Sequence, residues 1–147
     1  MYAGYRFYFS SKSQTPSYTP PPQITIGKQT FTLDIADTDE KRSQGLSGRG
    51  KLEETQGMLF LFPQKDMYAF WMKDMLFPLD LIWIDEDTVV DISENVPIPF
   101  TATYLPRYQP KAPVNRVLEV NSGLTKKYGI IPGMKVAFSG LENIQPK

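Results

Sequence analysis

The sequence predicts a mostly β fold, a compact antiparallel β-barrel or sandwich with two short helices. Apolar and polar residues alternate with a period of two over residues 31–35, which is typical of a half-buried strand. Further strand candidates follow at residues 79–84 and 115–120, and turn-forming Gly, Pro and Asp residues separate them. The 147 residues are enough for one hydrophobic core and too few for two.

A first hairpin and a helix are predicted near the start of the domain. Residues 24–26 and 31–35 form the arms of the hairpin around a Gly–Lys turn. Asp37 lies three residues before Glu40, which is the spacing of a capping box, and a glycine follows at the expected end. These features predict a short helix over residues 38–44.

The middle of the chain predicts two more hairpins and a long connection. Residues 57–62 are expected to pair with residues 67–72, and residues 79–84 with residues 88–96, each pair through a short turn. Residues 97–113, the proline-rich segment, hold many of the chain's 13 prolines, so this segment is not a central strand. A connection of this length is usually functional or mobile.

The last third predicts a strand, a helix and a final strand. Residues 115–120 resume the strand pattern. Ser122 is placed to cap a helix that ends near Tyr128, where a glycine follows. Residues 134–139 alternate again and predict the last of about eight strands.

Composition predicts three segments along the chain. Residues 1–22 form an aromatic stub and a linker rich in Pro, Ser and Thr, which predicts a flexible segment. Residues 23–141 form a single β-rich domain, and residues 142–147 a C-terminal tail. Aromatic residues suit a membrane edge, so the first segment is typical of a stretch that follows a membrane tether. A natural disordered terminus fits it equally well.

Charge and residue usage exclude several classes of function. Lys plus Arg and Asp plus Glu number 16 each, so the chain lacks the basic field of a nucleic-acid-binding protein, and we expect no nucleic-acid partner. It has no Cys and no His, which excludes Cys–His and Ser–His nucleophiles and the usual zinc sites. No metal site and no cofactor is indicated.

Five sequence blocks occur in an order that resembles a known family. They are RSQGLSGRGKL at residues 42–52, GMLFLF at 57–62, FWMKDMLFPLDLIWID at 70–85, the VLEV and SG pair at 117–123 and GIIPGMKV at 129–136. Together they resemble the domain of unknown function 192 family, also called uncharacterised protein family 0127. The resemblance implies a compact mostly β fold that is often preceded by a signal sequence or membrane anchor. We therefore expect an extracytoplasmic or membrane-tethered location, and the resemblance implies no activity.

The chain departs from the family pattern at two places. The usual GLM reads Gly45, Leu46 and Ser47 here, and the usual KNT has become KDM, with Asp74 in place of the amide. A carboxylate only accepts hydrogen bonds, whereas an amide also donates them. A ligand preference that depends on this position would differ in this chain.

Asp80 and Glu119 are candidate site residues because both lie in apolar surroundings. An isolated carboxylate at Asp80 would be costly, so it needs a partner, for which Arg42, Lys73 and Arg116 are available. A buried Arg–Asp pair is one interpretation, and a perturbed carboxylate at a cleft is the other. Paired with Glu119, Asp80 could form the acid–base couple of a hydrolase.

Trp71 and Lys73 share one face of a predicted strand, opposite Phe70 and Met72. Phe70 and Met72 are interpreted as core residues. An exposed tryptophan beside a cation suits a planar or anionic ligand, although packing beneath the proline-rich segment fits it equally well.

The leading hypothesis is a non-enzymatic binding module for a small polar or anionic ligand. The residues assigned to this site are Arg42, Trp71, Lys73, Asp80 and Glu119, with the proline-rich segment as a flap. The alternatives are a carboxylate-based hydrolase that uses Asp80 and Glu119, and a purely structural or interaction domain.

Overall fold

Seven strands and two short helices make up the part of the chain that a computed structural model describes, residues 19–147. The elements are β1 (Gln23–Ile26), β2 (Gln29–Ala36), α1 (Asp39–Gln44), β3 (Gln56–Asp66), β4 (Leu79–Asp85), β5 (Thr88–Val96), β6 (Val114–Asn121), α2 (Leu124–Tyr128) and β7 (Val136–Ser139). The strands form one curled sheet in the order β5-β4-β6-β3-β2-β1-β7. Most of the predicted segment 1–22 lies outside the described residues.

The predicted fold class, mostly β with two short helices, is confirmed, and one strand pair departs from an all-antiparallel sheet. β2 and β3 pair in parallel, whereas every other pair of strands is antiparallel in the described part. A parallel pair needs a crossover, because the chain must return to the same end of the sheet. The connection through α1 supplies that crossover, and it also covers part of one sheet face.

The sheet curls until its two edge regions meet. Thr88 at the start of β5 forms a bridge with Lys135, just before β7. The Val89 N–H donates to the Met134 carbonyl at 2.9 Å, and the Val136 N–H donates to the Asp87 carbonyl at 2.8 Å. These bonds bring β5 and β7 together at one end, so the sheet has the shape of a half-barrel.

Each face of the sheet carries its own hydrophobic core. The inner face packs with α2 and holds buried residues that include Ile24, Phe31, Leu59, Ile82, Leu118 and Ile130. The outer face holds another set, which includes Met58, Phe60, Met72, Leu81, Trp83 and Val117. β4 is buried on both faces, which explains why its sequence is apolar without alternation.

The predicted hairpin between residues 57–62 and 67–72 is wrong. β3 continues through Asp66, with an irregularity in its pairing to β6 after Leu61. Residues 67–78 then cross the outer face as an irregular segment, which we call the crossing segment. Its apolar residues anchor it by side-chain packing, so the period-2 pattern there reflects burial without a strand partner.

The starts of the two helices differ in detail from the predictions, and the end of the chain packs against the domain. α1 is capped by Thr38, one residue after the predicted Asp37, and its side chain accepts from the Lys41 N–H at 3.3 Å. α2 begins after Gly123, not after a Ser122 cap. The predicted tail returns to the domain, where Ile144 packs against the inner core.

Candidate functional site

An open cavity of about 350 Å³ lies on the outer face of the sheet; we call it the outer cavity. Phe60 and Phe62 of β3 and Glu119 of β6 form its floor. One wall is α1 with the turn that follows it, and the opposite wall is the crossing segment around residues 68–71. The cavity is thus built where three separate parts of the chain meet over the sheet.

Glu119 is a buried carboxyl at the floor of the outer cavity. Its side chain is flanked by Met58 on β3 and Leu81 on β4, both buried and apolar. Only 6% of Glu119 is exposed, and no hydrogen bond to its carboxyl comes from residues 19–147. Burial raises the pKa of Glu119 to about 8, so the group is largely protonated at neutral pH.

Aromatic side chains line the cavity onto which this carboxyl opens. Phe62 and Tyr68 stack with ring centroids 3.6 Å apart. Phe70 meets Phe60 edge-to-face at 4.9 Å and Trp83 at 5.4 Å, which joins the cavity to the outer core. Such contacts fix the ring orientations, so the walls are preformed apolar surfaces.

Arg42 holds α1 against the sheet. One terminal nitrogen donates to the Leu61 carbonyl at 2.7 Å, and the other donates to the Asp39 carboxylate at 2.7 Å and to the Lys147 main-chain oxygen at 2.5 Å. The guanidinium also lies 5.3 Å from the centre of the Phe62 ring. Arg42 lines the outer cavity, but its terminal nitrogens already have protein acceptors.

The proline-rich segment is bound to the crossing segment. Phe70 and Tyr108 exchange two main-chain hydrogen bonds of 2.9 and 2.8 Å, and the Gln109 side chain donates to the Met67 carbonyl at 3.0 Å. The Arg107 guanidinium lies 5.5 Å from the centre of the Trp71 ring. Trp71 therefore both lines the cavity and packs with the proline-rich segment, with 49% of its surface exposed.

Lys73 does not line the outer cavity. Its carbonyl accepts a hydrogen bond of 2.8 Å from the Ser47 hydroxyl, and the neighbouring Asp74 carbonyl accepts one of 2.9 Å from the Gly48 N–H. Asp74 adopts a φ of 57°, a left-handed conformation that Asn and Asp tolerate better than most residues. The role of Asp74 here is to adopt this left-handed main-chain conformation, and Asp can do so in place of the Asn of the family pattern.

Asp80 faces away from the outer cavity and has no arginine or lysine partner among the described residues. It is fully buried on the inner face, where its carboxylate accepts from the N–H groups of Asn95, Gly123 and Thr125 at 2.8–3.0 Å and from the Thr125 hydroxyl at 2.6 Å. The expected buried Arg–Asp pair is wrong because the first turn of α2 supplies the donors instead.

The expected couple of Asp80 and Glu119 is also not formed. Leu81, not Asp80, stands opposite Glu119 in the β4–β6 register. Successive side chains of a strand point to opposite faces, so the two carboxyl groups lie on opposite sides of the sheet. Of the five predicted site residues, the outer cavity brings together Arg42, Trp71 and Glu119.

Several cavity residues escaped the sequence analysis. Phe60 and Phe62 were assigned only to a predicted strand, and Arg107, which lies over the Trp71 ring, was not singled out. The alternation of Met58, Phe60 and Phe62 marks one face of β3, and this was the available signal. That this face carries a cavity depends on the crossing segment, whose path the sequence does not reveal.

Neither a metal-binding cluster nor a membrane-spanning helix occurs in residues 19–147. No group of three or more His, Cys, Asp or Glu side chains is placed to hold a metal ion there. No helix within this range has the length and hydropathy needed to cross a membrane.

The family and the solved structures that resemble this chain are themselves uncharacterised or provisionally described. The model of the DUF192 family, described as an uncharacterized ACR, matches residues 22–138. A crystal structure of a protein of unknown function from Novosphingobium aromaticivorans DSM 12444 is 32% identical, with a TM-score of 0.72 over 78% of this chain and 83% of that one.

A protein from Sinorhizobium meliloti 1021, provisionally described as a transcription regulator, is 30% identical in its crystal structure. Its TM-score is 0.71, and the match covers 82% of this chain and 95% of that one. No curated protein matches this chain.

Proposed function

This chain is a member of the DUF192 family, and we propose that it is a non-enzymatic binding domain for a small polar ligand held in the outer cavity. The apolar part of the ligand packs against the aromatic walls, and its polar group meets Glu119. The observation that carries the proposal is the Glu119 carboxyl, which is 6% exposed and has no partner among the described residues.

The Glu119 carboxyl is largely desolvated and opens onto the cavity, and such a group costs a folded protein stability unless a partner reaches it. Burying a polar group without a hydrogen bond costs roughly 1–3 kcal/mol by mutational estimates. An apolar side chain beside Met58 and Leu81 would avoid that cost. A ligand that hydrogen-bonds to Glu119 would offset it, which is why we assign the carboxyl to binding.

Binding is favoured over catalysis by the contents of the outer cavity. The ionisable groups that line it are Asp39, Arg42, Tyr68 and Glu119. Asp39 and Arg42 bond to each other, and the Tyr68 hydroxyl donates to the Gln64 carbonyl at 2.7 Å. Glu119 is left as a single open group, whereas acid–base hydrolysis needs two.

We also propose that the domain works outside the cytoplasm or at a membrane surface. Its support is the composition of residues 1–22, an aromatic stub followed by a Pro-, Ser- and Thr-rich stretch, which suits a tethered domain. Fractionation of cells that express the full-length protein, with a tag after Lys147, tests this placement.

Filling the outer cavity tests the binding proposal. Ala69 is an exposed residue of its wall, so Ala69→Phe narrows the cavity without disturbing a core position. Ala137→Phe makes the same change at an exposed position of the edge strand β7 and serves as the control. Benzyl alcohol, benzamide and benzylamine are titrated into each protein and followed by ¹H–¹⁵N NMR.

In the wild type and in the control Ala137→Phe, we expect saturable shifts at the amides of residues 42–47, 68–71 and 119. In Ala69→Phe, we expect the affinity for the probes to fall at least tenfold. Tenfold corresponds to about 1.4 kcal/mol of binding free energy. Shifts confined to other surfaces, or no saturable shift with any of the three probes, would overturn the proposal in favour of a structural or interaction domain.

A further inference from the structure

We infer that the outer cavity selects organic cations, that is, an ammonium group on a small apolar or aromatic body, with the Glu119 carboxylate as the counter-ion. The inference rests on the proposed function and narrows the ligand to one charge class. It differs from the anionic ligand that the sequence analysis allowed.

The charges around the outer cavity favour a cation. Arg42 is the cavity's one basic lining residue, and both of its terminal nitrogens are taken by Leu61, Asp39 and Lys147. An anionic ligand would therefore find no guanidinium group free to bind it. It would also lie beside Glu119, whose ionised carboxylate would repel it. A cation finds a carboxylate that no described residue neutralises.

The aromatic walls suit the same class of ligand. The negative face of an aromatic ring attracts a cation within about 6 Å of the ring centre. Two rings of this cavity show that its walls accept a cation, because the Arg42 guanidinium lies over Phe62 and the Arg107 guanidinium over Trp71; those two ring faces are occupied by the protein itself. Aromatic walls around a single carboxylate are a common solution for binding ammonium ligands, because the rings replace water without adding charge.

Binding of a cation must be coupled to the release of a proton from Glu119. Met58 and Leu81 flank Glu119 on the sheet, while Asp39 and Arg42 from α1 and Tyr68 from the crossing segment line the same cavity. Asp39 and Arg42 neutralise each other, and burial raises the pKa of Tyr68, so that group stays neutral. The Glu119 carboxylic acid therefore gives up its proton to solvent when an ammonium ion binds.

A matched trio of probes tests the inference: benzylamine, benzyl alcohol and benzoate carry a positive, a neutral and a negative group on the same ring. Each is titrated by calorimetry at pH 6, 7 and 8 into the wild type, Glu119→Gln and Glu94→Gln. Glu94 is an exposed glutamate of β5, so its variant controls for the loss of a carboxylate elsewhere. An alkylammonium group stays charged over this range.

We expect benzylamine to bind best to the wild type, with a Kd on the order of millimolar for so small a probe. Its affinity should rise with pH by at most about tenfold per unit, because only the ionised carboxyl binds the cation. Glu119→Gln should lose both the preference and the pH dependence, and Glu94→Gln should keep them. Repeating the wild-type titration at pH 7 in two buffers of different ionisation enthalpy should reveal release of close to one proton, independently of any variant.

The outcomes separate this inference from the proposed function. Benzyl alcohol or benzoate binding in the outer cavity as tightly as benzylamine, or benzylamine binding without proton release, overturns the cation inference and leaves the binding site in place. Absence of saturable binding by all three probes overturns the proposed function itself.

Discussion

Asp80 and Glu119 are buried carboxyl groups on neighbouring strands, β4 and β6, and their surroundings differ completely. Asp80 accepts four hydrogen bonds on the inner face, three of them from main-chain N–H groups. Glu119 accepts none from the described residues and faces the outer cavity. A satisfied carboxylate organises the polypeptide around it, whereas an unsatisfied one is available to a ligand.

Asp80→Asn should destabilise the fold. An amide places its N–H₂ group either against the Asn95 N–H or against the N–H groups of Gly123 and Thr125, so at least one buried bond is lost. We expect the free energy of unfolding, measured by urea denaturation, to fall by about 2–4 kcal/mol.

Asp87→Asn is the matched control, because Asp87 is an exposed carboxylate that pairs with Lys135 at 2.9 Å. Loss of this ion pair should lower the free energy of unfolding by less than about 1 kcal/mol. If the Asp80→Asn protein is as stable as this control, the hydrogen bonds from Asp80 to the start of α2 do not hold β4 and α2 together.

Sequence reasoning identified the need of Asp80 for a partner but not the partner. The apolar residues around it predicted that an isolated carboxylate would be too costly. The donors Gly123 and Thr125 are more than 40 residues away and have no charge, so nothing in the sequence marked them. For Glu119, the same local pattern gave no sign that a partner would be lacking.

At the scale of elements, the close contact of β3 and β6 supports the floor of the outer cavity. A Cβ atom at Gly57 would lie 2.9 Å from a methyl group of Leu118 and 3.0 Å from the Glu119 carbonyl. The absence of a side chain therefore lets the two strands approach directly beneath Glu119.

Gly57→Ala should separate the strands locally and destabilise the fold by about 1–3 kcal/mol, as overpacking usually does. Gly50→Ala is the control, because that glycine has open space around its Cβ position. Thermal unfolding of both variants measures the difference. Equal melting temperatures for the two would contradict the close approach of β3 and β6.

The crossing segment is the element that sequence analysis predicted least well. Its apolar residues were correctly expected to include buried ones, and Met72 is 3% exposed. Pairing as a strand was not correct, because the segment is held by side-chain packing and by the two main-chain bonds between Phe70 and Tyr108. Those bonds link positions 38 residues apart, and a local pattern carries no information about them.

For the whole molecule, the predicted fold class and most strands are confirmed because each strand's pattern is local. The cavity depended on long-range contacts: α1 bound through Arg42, and the crossing segment bound to the proline-rich segment. The result is a half-barrel with a buried carboxyl, that of Glu119, at the floor of its outer cavity. Sites for ligands commonly carry such a group at a cost in stability.

The dependence of stability on pH shows whether Glu119 is a buried carboxyl without a hydrogen-bond partner. The pKa of Glu119 is about 8 in the folded protein and near 4.5 when the group is exposed, so the native state binds one more proton between these values. The contribution of Glu119 to the free energy of unfolding is therefore fully present below about pH 4.5, and it is lost as the pH rises toward 8. Between pH 6 and pH 8 the loss should be about 2 kcal/mol.

The measurement is the free energy of unfolding by urea at pH 6 and pH 8 for the wild type, Glu119→Gln and the control Glu94→Gln. We predict that the wild type and Glu94→Gln lose about 2 kcal/mol more than Glu119→Gln over this interval. If all three proteins instead change in parallel, Glu119 is not a buried, unpartnered carboxyl, and the outer cavity loses the group on which its proposed function depends.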